Sequence, residues 1–201
     1  MTTTSAEFAM AGGAYPVEVQ VEPPVEQNRL SVLLRIIFAI PHAIIISALG
    51  YVVGVTAFIA WLIILFTGKC PPGLLKFHAG YVRWAARAYG YLGLLTDKYP
   101  PFSLDDDPAY PIRVSVAEAA EGRNRLTVFF RVILAIPHLI VLSILGLVVY
   151  IVAFIAWIIA LITGVVPEGM HNFIGGVLRW STRVNAYLYL LRDEYPPFSL
   201  Q

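Results

Sequence analysis

Two long stretches of the chain carry no charged residue, 36–66 and its later echo 132–162. As a single helix the first would run roughly 46 Å at about 1.5 Å per residue, against a bilayer hydrocarbon core of about 30 Å. One straight crossing is too short for it, and two full crossings are slightly too long unless the first begins near Asn28. Both flanks are basic, Arg29 and Arg35 before and Lys69 and Lys76 after, which by the positive-inside tendency assigns both ends to the cytoplasm. A helical hairpin satisfies both conditions. Its tip is predicted near Gly50-Tyr51 and Gly146-Leu147, where glycine permits a reversal. The alternative is an interfacial helix up to Ile40 followed by one span over residues 41–67, with Pro41 at the first helical position.

Beyond Pro71 and Pro167 the pattern predicts two further helices, over residues 74–95 and 170–191. Lys76, Gly80, Arg83, Arg87 and Gly90 recur every three or four residues and share one stripe. The second copy places Asn172, Gly176, Arg179, Arg183 and Ala186 there. The remaining surface is aliphatic and aromatic, the profile of an amphipathic helix in the membrane interface. Trp84 and Trp180 read as headgroup-level anchors, and the small residues of the stripe would let another helix approach closely. Tyr99-Pro100-Pro101 and Tyr195-Pro196-Pro197 end these helices, since proline donates no backbone hydrogen bond. Upstream of each copy, residues 15–22 and 110–116 alternate apolar β-branched with polar residues and predict short strands. Such strands would pair outside the membrane and, as a lone ribbon is marginal, rest on something else.

The two halves are copies of one another. Asn28-Arg29-Leu30 returns as Asn124-Arg125-Leu126, an offset of 96 that holds without a gap to Leu104 and Leu200, with about 43 identities over 77 positions. Similarity this close implies one fold twice over. The units are residues 1–27 (an N-terminal segment with a strand), 28–104 (membrane repeat 1), 105–123 (an acidic linker with a strand) and 124–201 (membrane repeat 2). The architecture predicted is an all-α membrane protein of two tandem helical-hairpin modules. Each is followed by an amphipathic interfacial helix, with short β-strands outside the membrane and a pseudo-twofold axis along the membrane normal.

Composition sharpens this reading. Of the 201 residues 58% are hydrophobic and 13% charged, where soluble domains sit near 45–50% and about 25%. The net charge of +1 gives no reason to expect nucleic acid, but the charges are unevenly placed. Residues 28–96 hold six basic residues and no acid; residues 122–192 hold Glu168 alone. The acids gather in the N-terminal segment, at Asp105, Asp106 and Asp107, and at Glu118 and Glu121. The single cysteine, Cys70, excludes an intrachain disulfide. It lies where palmitoylation is chemically reasonable, though a small buried thiol is the plainer reading. The N-terminus lacks the basic and apolar regions of a signal peptide, so the first membrane helix is expected to act as its own insertion signal.

The chemistry on offer is sparse. Arg35 and His42 are seven residues apart on one helical face, as are Arg131 and His138. Inside apolar sequence such a pair is a candidate polar track for protons or ions. The plainer reading has each histidine bonding a carbonyl freed by the adjacent proline, while the arginine snorkels to the interface. Lys76, Arg83, Trp84, Arg87, Arg179, Trp180 and Arg183 are the candidate contacts to anionic headgroups, each cation contributing roughly 1 kcal/mol near such a surface. Asp97 and Asp193 are expected to pair with an arginine or cap a turn. Two histidines without a nearby acid make a poor metal site, and the sequence lacks G-x-S-x-G, H-E-x-x-H, Walker and G-x-G-x-x-G motifs. No cofactor and no enzymatic activity are expected.

The set Arg35, Ile40-Pro41-His42, Trp61, Thr67-Gly68, Arg83-Trp84, Arg87, Asp97 and Tyr99-Pro100-Pro101-Phe102-Ser103-Leu104 recurs in the second copy. It resembles the bacterial domain-of-unknown-function family numbered four-three-eight-nine, over residues 28–104 and 124–200. The resemblance implies a bacterial inner-membrane location and a helical membrane domain in single or tandem copies. It implies no activity. The expected function is therefore that of a non-catalytic integral membrane protein with both termini cytoplasmic. It would be an accessory or scaffold subunit contacting anionic lipid and holding protein partners or further copies of itself. The competing expectation is a small oligomeric transporter or channel using the Arg/His track.

Overall fold

The computed structural model describes residues 15–117 and 122–201. The readings of the extreme N-terminus and of Glu118 and Glu121 fall outside those residues. Asn28 begins the first long helix: its backbone is extended, and its side-chain oxygen accepts the N–H groups of Leu30 and Ser31. Two donors that a helix start leaves open are thereby satisfied. Helix α1 (Arg29–Thr67) stops at Gly68, whose φ of 73° is left-handed and suits glycine. Helix α2 (Pro72–Leu92) follows. The second copy repeats the plan with Asn124 as cap, α3 (Arg125–Thr163), Gly164 at φ 82°, and α4 (Glu168–Leu188). Strands β1 (Val17–Val21) and β2 (Ile112–Val116) pair antiparallel with Val19 opposite Val114.

The predicted hairpin is not present. Each of α1 and α3 runs 39 residues without a break, and Gly50 and Gly146 lie within helix. The tip had one glycine in an apolar run and no Pro, Asn or Asp to build a reversal, whereas continuous helix keeps every backbone group paired. A helical glycine costs only about 1 kcal/mol. The alternative, a break at Pro41, is absent too. Pro41 withholds its N–H from the Ile37 carbonyl, and in the same turn the Phe38 carbonyl accepts the Tyr99 hydroxyl at 3.2 Å. Leu134 receives Tyr195 in the same way at 3.0 Å. With the reversal gone, each copy offers one helix long and apolar enough to cross a bilayer instead of two short ones.

The long helices run antiparallel to one another and meet at both ends. Trp61 Nε1 donates to the Val128 carbonyl at 2.9 Å, and Trp157 Nε1 to the Val32 carbonyl at 2.8 Å. Around these bonds Ala60, Ile64 and Val128 pack at one end, and Val32, Ala156 and Ala160 at the other. The backbone adds a matching pair: Arg123 N–H to the Gly68 carbonyl at 2.9 Å, and Gln27 N–H to the Gly164 carbonyl at 2.8 Å. Helices α2 and α4 lie beneath, also antiparallel, each against the middle of its own long helix. Tyr81 of α2 reaches Gly50, and His78 reaches Thr56. The β-ribbon packs on the far side of α2 and α4, where Arg83 donates to the Val114 carbonyl and Arg179 to the Val19 carbonyl. The order is therefore long-helix pair, short-helix pair, ribbon.

Equivalent residues exchange at every level of this stack, so a pseudo-twofold relates the copies. Antiparallel partners can be exchanged only by an axis at right angles to them, and the axis runs through the Val19–Val114 pair. Burial follows the layers. The inward stripe of α1 is Val32, Arg35, Ala39, His42, Ile46, Val53, Ala60 and Ile64. Opposite it Ile37, Ile40, Ile44, Tyr51, Val55, Phe58, Leu62 and Phe66 are exposed. The short helices are buried around most of their circumference.

Candidate functional site

The candidate polar residues of the long helices converge on the segment that follows each short helix. After α2 the chain turns through Leu94, which adopts a positive φ of 65°. That turn aims several carbonyls at the start of α1. Arg35, 1% exposed, donates from Nη1 to the carbonyls of Tyr91 (2.5 Å) and Thr96 (2.9 Å). Its Nη2 reaches Gln27 Oε1 (2.8 Å) and Asp97 Oδ1 (3.0 Å), and the guanidinium stacks over the Tyr91 ring. Asp97 also accepts the Asn28 N–H and the Ser31 hydroxyl, tying the carboxylate to the helix start. It pairs with an arginine and braces a cap, as expected for it. Arg35 does not snorkel: it plugs a basket of carbonyls in the interior.

The second copy builds the same basket with one change. Arg131 donates to the carbonyls of Tyr187 (2.6 Å) and Arg192 (2.9 Å) and to Asp193 (2.5 Å), above the Tyr187 ring. The position of Gln27 is taken by Arg123, which also bonds Asp193 (2.9 Å) and the Leu190 and Leu191 carbonyls. One carboxylate thus serves two guanidiniums. No sequence signal singled out Gln27 or Arg123, because their partners lie some 67 positions further along the chain.

His42 and His138 form a second paired cluster. The indole N–H of Trp84 donates to His42 Nδ1 at 3.0 Å, and Trp180 to His138 Nδ1 at 3.0 Å. An indole N–H only donates, so Nδ1 is the acceptor and the proton sits on Nε2. Each ring is then clamped by the Pro-Pro-Phe motif: His42 stacks on Phe102 at 4.1 Å, and His138 on Phe198 at 3.9 Å. Nε2 has no hydrogen-bond partner in either copy. His42 and His138 accept from an indole and bond no carbonyl of the helix turn before the proline, where the Phe38 and Leu134 carbonyls accept the Tyr99 and Tyr195 hydroxyls. Arg35 and His42 share a face as expected, but each has its own closed set of neighbours.

The predicted headgroup contacts are mostly turned inward. Trp84 and Trp180 are each 5% exposed, and Arg87 is 2% exposed. Arg87 donates to the carbonyls of Ser103 (2.6 Å) and Asp105 (3.1 Å), and burial lowers its affinity for a proton. Arg183 reaches the carbonyls of Val17 and Gln201, and Arg83 and Arg179 brace the ribbon. Lys76 is the exposed member of the set, and Arg83, Arg179 and Arg183 are half-buried. The stripe that read as headgroup-facing is a bed for other parts of the chain. A Cβ on Gly80 would lie 2.7 Å from the Leu104 Cβ and 2.8 Å from its carbonyl oxygen, and one on Gly176 would lie 2.8 Å from the Leu200 carbonyl. The close approach foreseen from the small residues occurs, with a loop and not a helix as the visitor.

Two groups lie between the copies. His78 is held by the Tyr189 carbonyl at Nδ1 and by Thr56 at Nε2, both at 2.9 Å. Burial pushes its pKa down, against a smaller upward pull from the Tyr189 carbonyl. Burial pushes the Cys70 thiol up, which disfavours the reactive thiolate. Between α2 and α4 a crevice of about 30 Å³ is lined by Tyr81, Ala85, Ser181 and Asn185, room for about one water. Among the described residues no three His, Cys, Asp or Glu side chains are grouped to hold a metal.

Residues 29–103 and 125–199 each match the family described as Domain of unknown function (DUF4389). No curated protein and no solved structure matches the chain.

Proposed function

Because the chain belongs to the DUF4389 family, in two tandem copies, and that name carries no activity, we propose a function from the geometry alone. The protein is a non-catalytic component of a bacterial inner membrane, an accessory or scaffold subunit that stays in lipid and holds partner proteins. One observation carries this reading. The arginine and histidine inside each long helix, the groups best suited to chemistry or conduction, are engaged by the fold's own carbonyls, carboxylate and indole in both copies. A proton relay needs a histidine whose ring nitrogens can exchange protons, whereas here Nδ1 is occupied and Nε2 faces apolar rings. That occupancy weighs against the transporter alternative.

Lipid contact falls to other cations than those singled out in the short helices. Arg29, Lys69, Lys76 and Arg125 are exposed near the ends of the long-helix pair, where each adds about 1 kcal/mol of attraction to an anionic surface. Between them α1 and α3 expose broad apolar faces of the kind that marks contact with lipid or a partner. Purification of the full chain in mild detergent, with mass identification of what accompanies it, tests the scaffold reading. A defined stoichiometric partner is the expected result, and a clean homo-oligomer would count against it. Replacing His42 and His138 by Gln is expected to leave ion flux in proteoliposomes at background at every pH; a pH-dependent flux abolished by the double variant would restore the transporter.

A further inference from the structure

We propose that the chain does not cross the bilayer: α1 and α3 lie in the plane of one leaflet, with the pseudo-twofold axis along the membrane normal and the ribbon in water. This rests on the membrane reading above and specifies how the lipid is met. The first observation is where the charges sit along the axis. The outer face of the ribbon exposes Glu18, Gln20 and Arg113, and Asp106 and Asp107 lie beside it with Arg83. At the opposite pole Ile40, Ile44, Tyr51 and Phe58 of α1 are exposed, as are Ile140 and Leu147 of α3.

The second observation is the level of the ribbon. It rests on α2 and α4, and these lie against the middle of the long helices, through His42–Trp84, Gly50–Tyr81 and Thr56–His78. If α1 and α3 stood upright across the membrane, the ribbon would be held at the depth of the bilayer midplane. Its charged face would then meet hydrocarbon, where each Asp or Arg is costly to place. Laid flat, the same ribbon projects into water.

The third observation is length. A 39-residue helix measures about 58 Å at about 1.5 Å per residue, nearly twice the hydrocarbon thickness of about 30 Å. Its exposed apolar stripe runs almost the whole way, from Leu30 to Phe66. Upright, much of that stripe would protrude into water. In the plane all of it is used, and a helix about 10–12 Å across fits within one leaflet. The exposed cations agree. Arg29 marks one end of α1 and Lys69 the other, and an in-plane helix carries both to the same surface, the cytoplasmic one by the positive-inside tendency.

The test is accessibility of single cysteines in the full-length Cys70→Ser background, in right-side-out and inverted membrane vesicles of the expression host. Arg29→Cys, Lys69→Cys and Arg113→Cys are expected to react with a membrane-impermeant maleimide from the same face and to lose all labelling from the other. Ile40→Cys and Leu147→Cys are expected to resist the maleimide from both faces, and a fluorophore attached there after solubilisation and reconstitution should be quenched by nitroxide-labelled lipid. Labelling of residues 29 and 69 from opposite faces overturns the in-plane arrangement while leaving the protein a membrane component. Ready labelling at residues 40 and 147 overturns it too, since water would then cover the apolar pole. Release of the unmodified chain by an alkaline carbonate wash would remove the membrane reading itself.

Discussion

Arg35 and Asp97 stand 3.0 Å apart, the arginine 1% exposed and the carboxylate 27%. This pair joins the first turns of the long helix to the segment that leaves the short one. The arginine also holds three oxygen acceptors from Gln27, Tyr91 and Thr96, so removing it strands three neutral acceptors as well as the carboxylate. Arg35→Met is expected to lower stability by about 3–5 kcal/mol, the usual cost of breaking a buried pair. Arg35→Lys should recover little, because an ammonium cannot reproduce the planar fork. Asp97→Asn, at a partly solvated site, should cost less than either arginine change. Denaturant unfolding in detergent micelles, followed by tryptophan fluorescence, checks the ranking. Equal effects of Arg35→Met and Asp97→Asn would contradict it.

The bond from Trp84 to His42 predicts a coupling that surface residues lack. His42→Phe and Trp84→Phe each remove one partner of a buried hydrogen bond, and the double variant removes both. Leaving a single buried polar group unpaired costs about 1–3 kcal/mol, whereas replacing both partners by apolar groups is close to neutral. The double variant is therefore expected to be more stable than the sum of the single effects implies, by about 1 kcal/mol or more. Strict additivity would mean that the bond is absent in solution.

Glycines give a contrast of sign. Gly80→Ala puts a methyl group against the Leu104 backbone, which cannot yield as a side-chain tip would. The loop should be displaced at a cost of about 1–3 kcal/mol. Gly54→Ala meets nothing within 4 Å and should stabilise by about 0.5–1 kcal/mol through helix propensity alone. The melting temperatures of the two variants should bracket that of the parent.

His78 predicts a pH dependence. Its pKa is pushed below the ordinary value of 6.5 by burial, so the unfolded chain takes up a proton before the folded one does. The stability this contributes is present above about 6.5 and falls as the pH drops from there towards the folded pKa. His78→Ile, which installs the residue found at the matching position Ile174, should flatten that decline. Unfolding measured from pH 7.5 to pH 5 checks this; an unchanged slope would show that His78 is not the group responsible.

The sequence carried the duplication, the ribbon and the four helical regions in readable form, because each is a local pattern: a repeat offset, a period of two, a charge-free run. It carried the pairing of Asp97 with an arginine only as a generic expectation. The hairpin fails at Gly50 because a glycine in an apolar run carries no turn chemistry beside it, and the helix continues through it at a cost of only about 1 kcal/mol. Trp84 looked like an interface anchor because an amphipathic stripe reads alike whether its outer face meets headgroups or another part of the chain. What lay out of reach was the Gln27–Leu94 and Trp61–Val128 contacts, formed by residues 67 positions apart. Nothing local in the chain announces which carbonyl an indole will find.

The crossed tryptophan bonds have a bearing on how such a chain arose. Trp61 donates into the second copy and Trp157 into the first, and the two linking segments likewise bond the glycine that ends the other copy's long helix. One copy alone would have an indole without an acceptor, a strand without a mate and an open flank along its short helix. A chain holding a single copy would be half an object, completed by a second molecule. Fusion in tandem makes that dimer permanent and lets its halves differ, as they do where Gln27 of one stands in the place of Arg123 of the other.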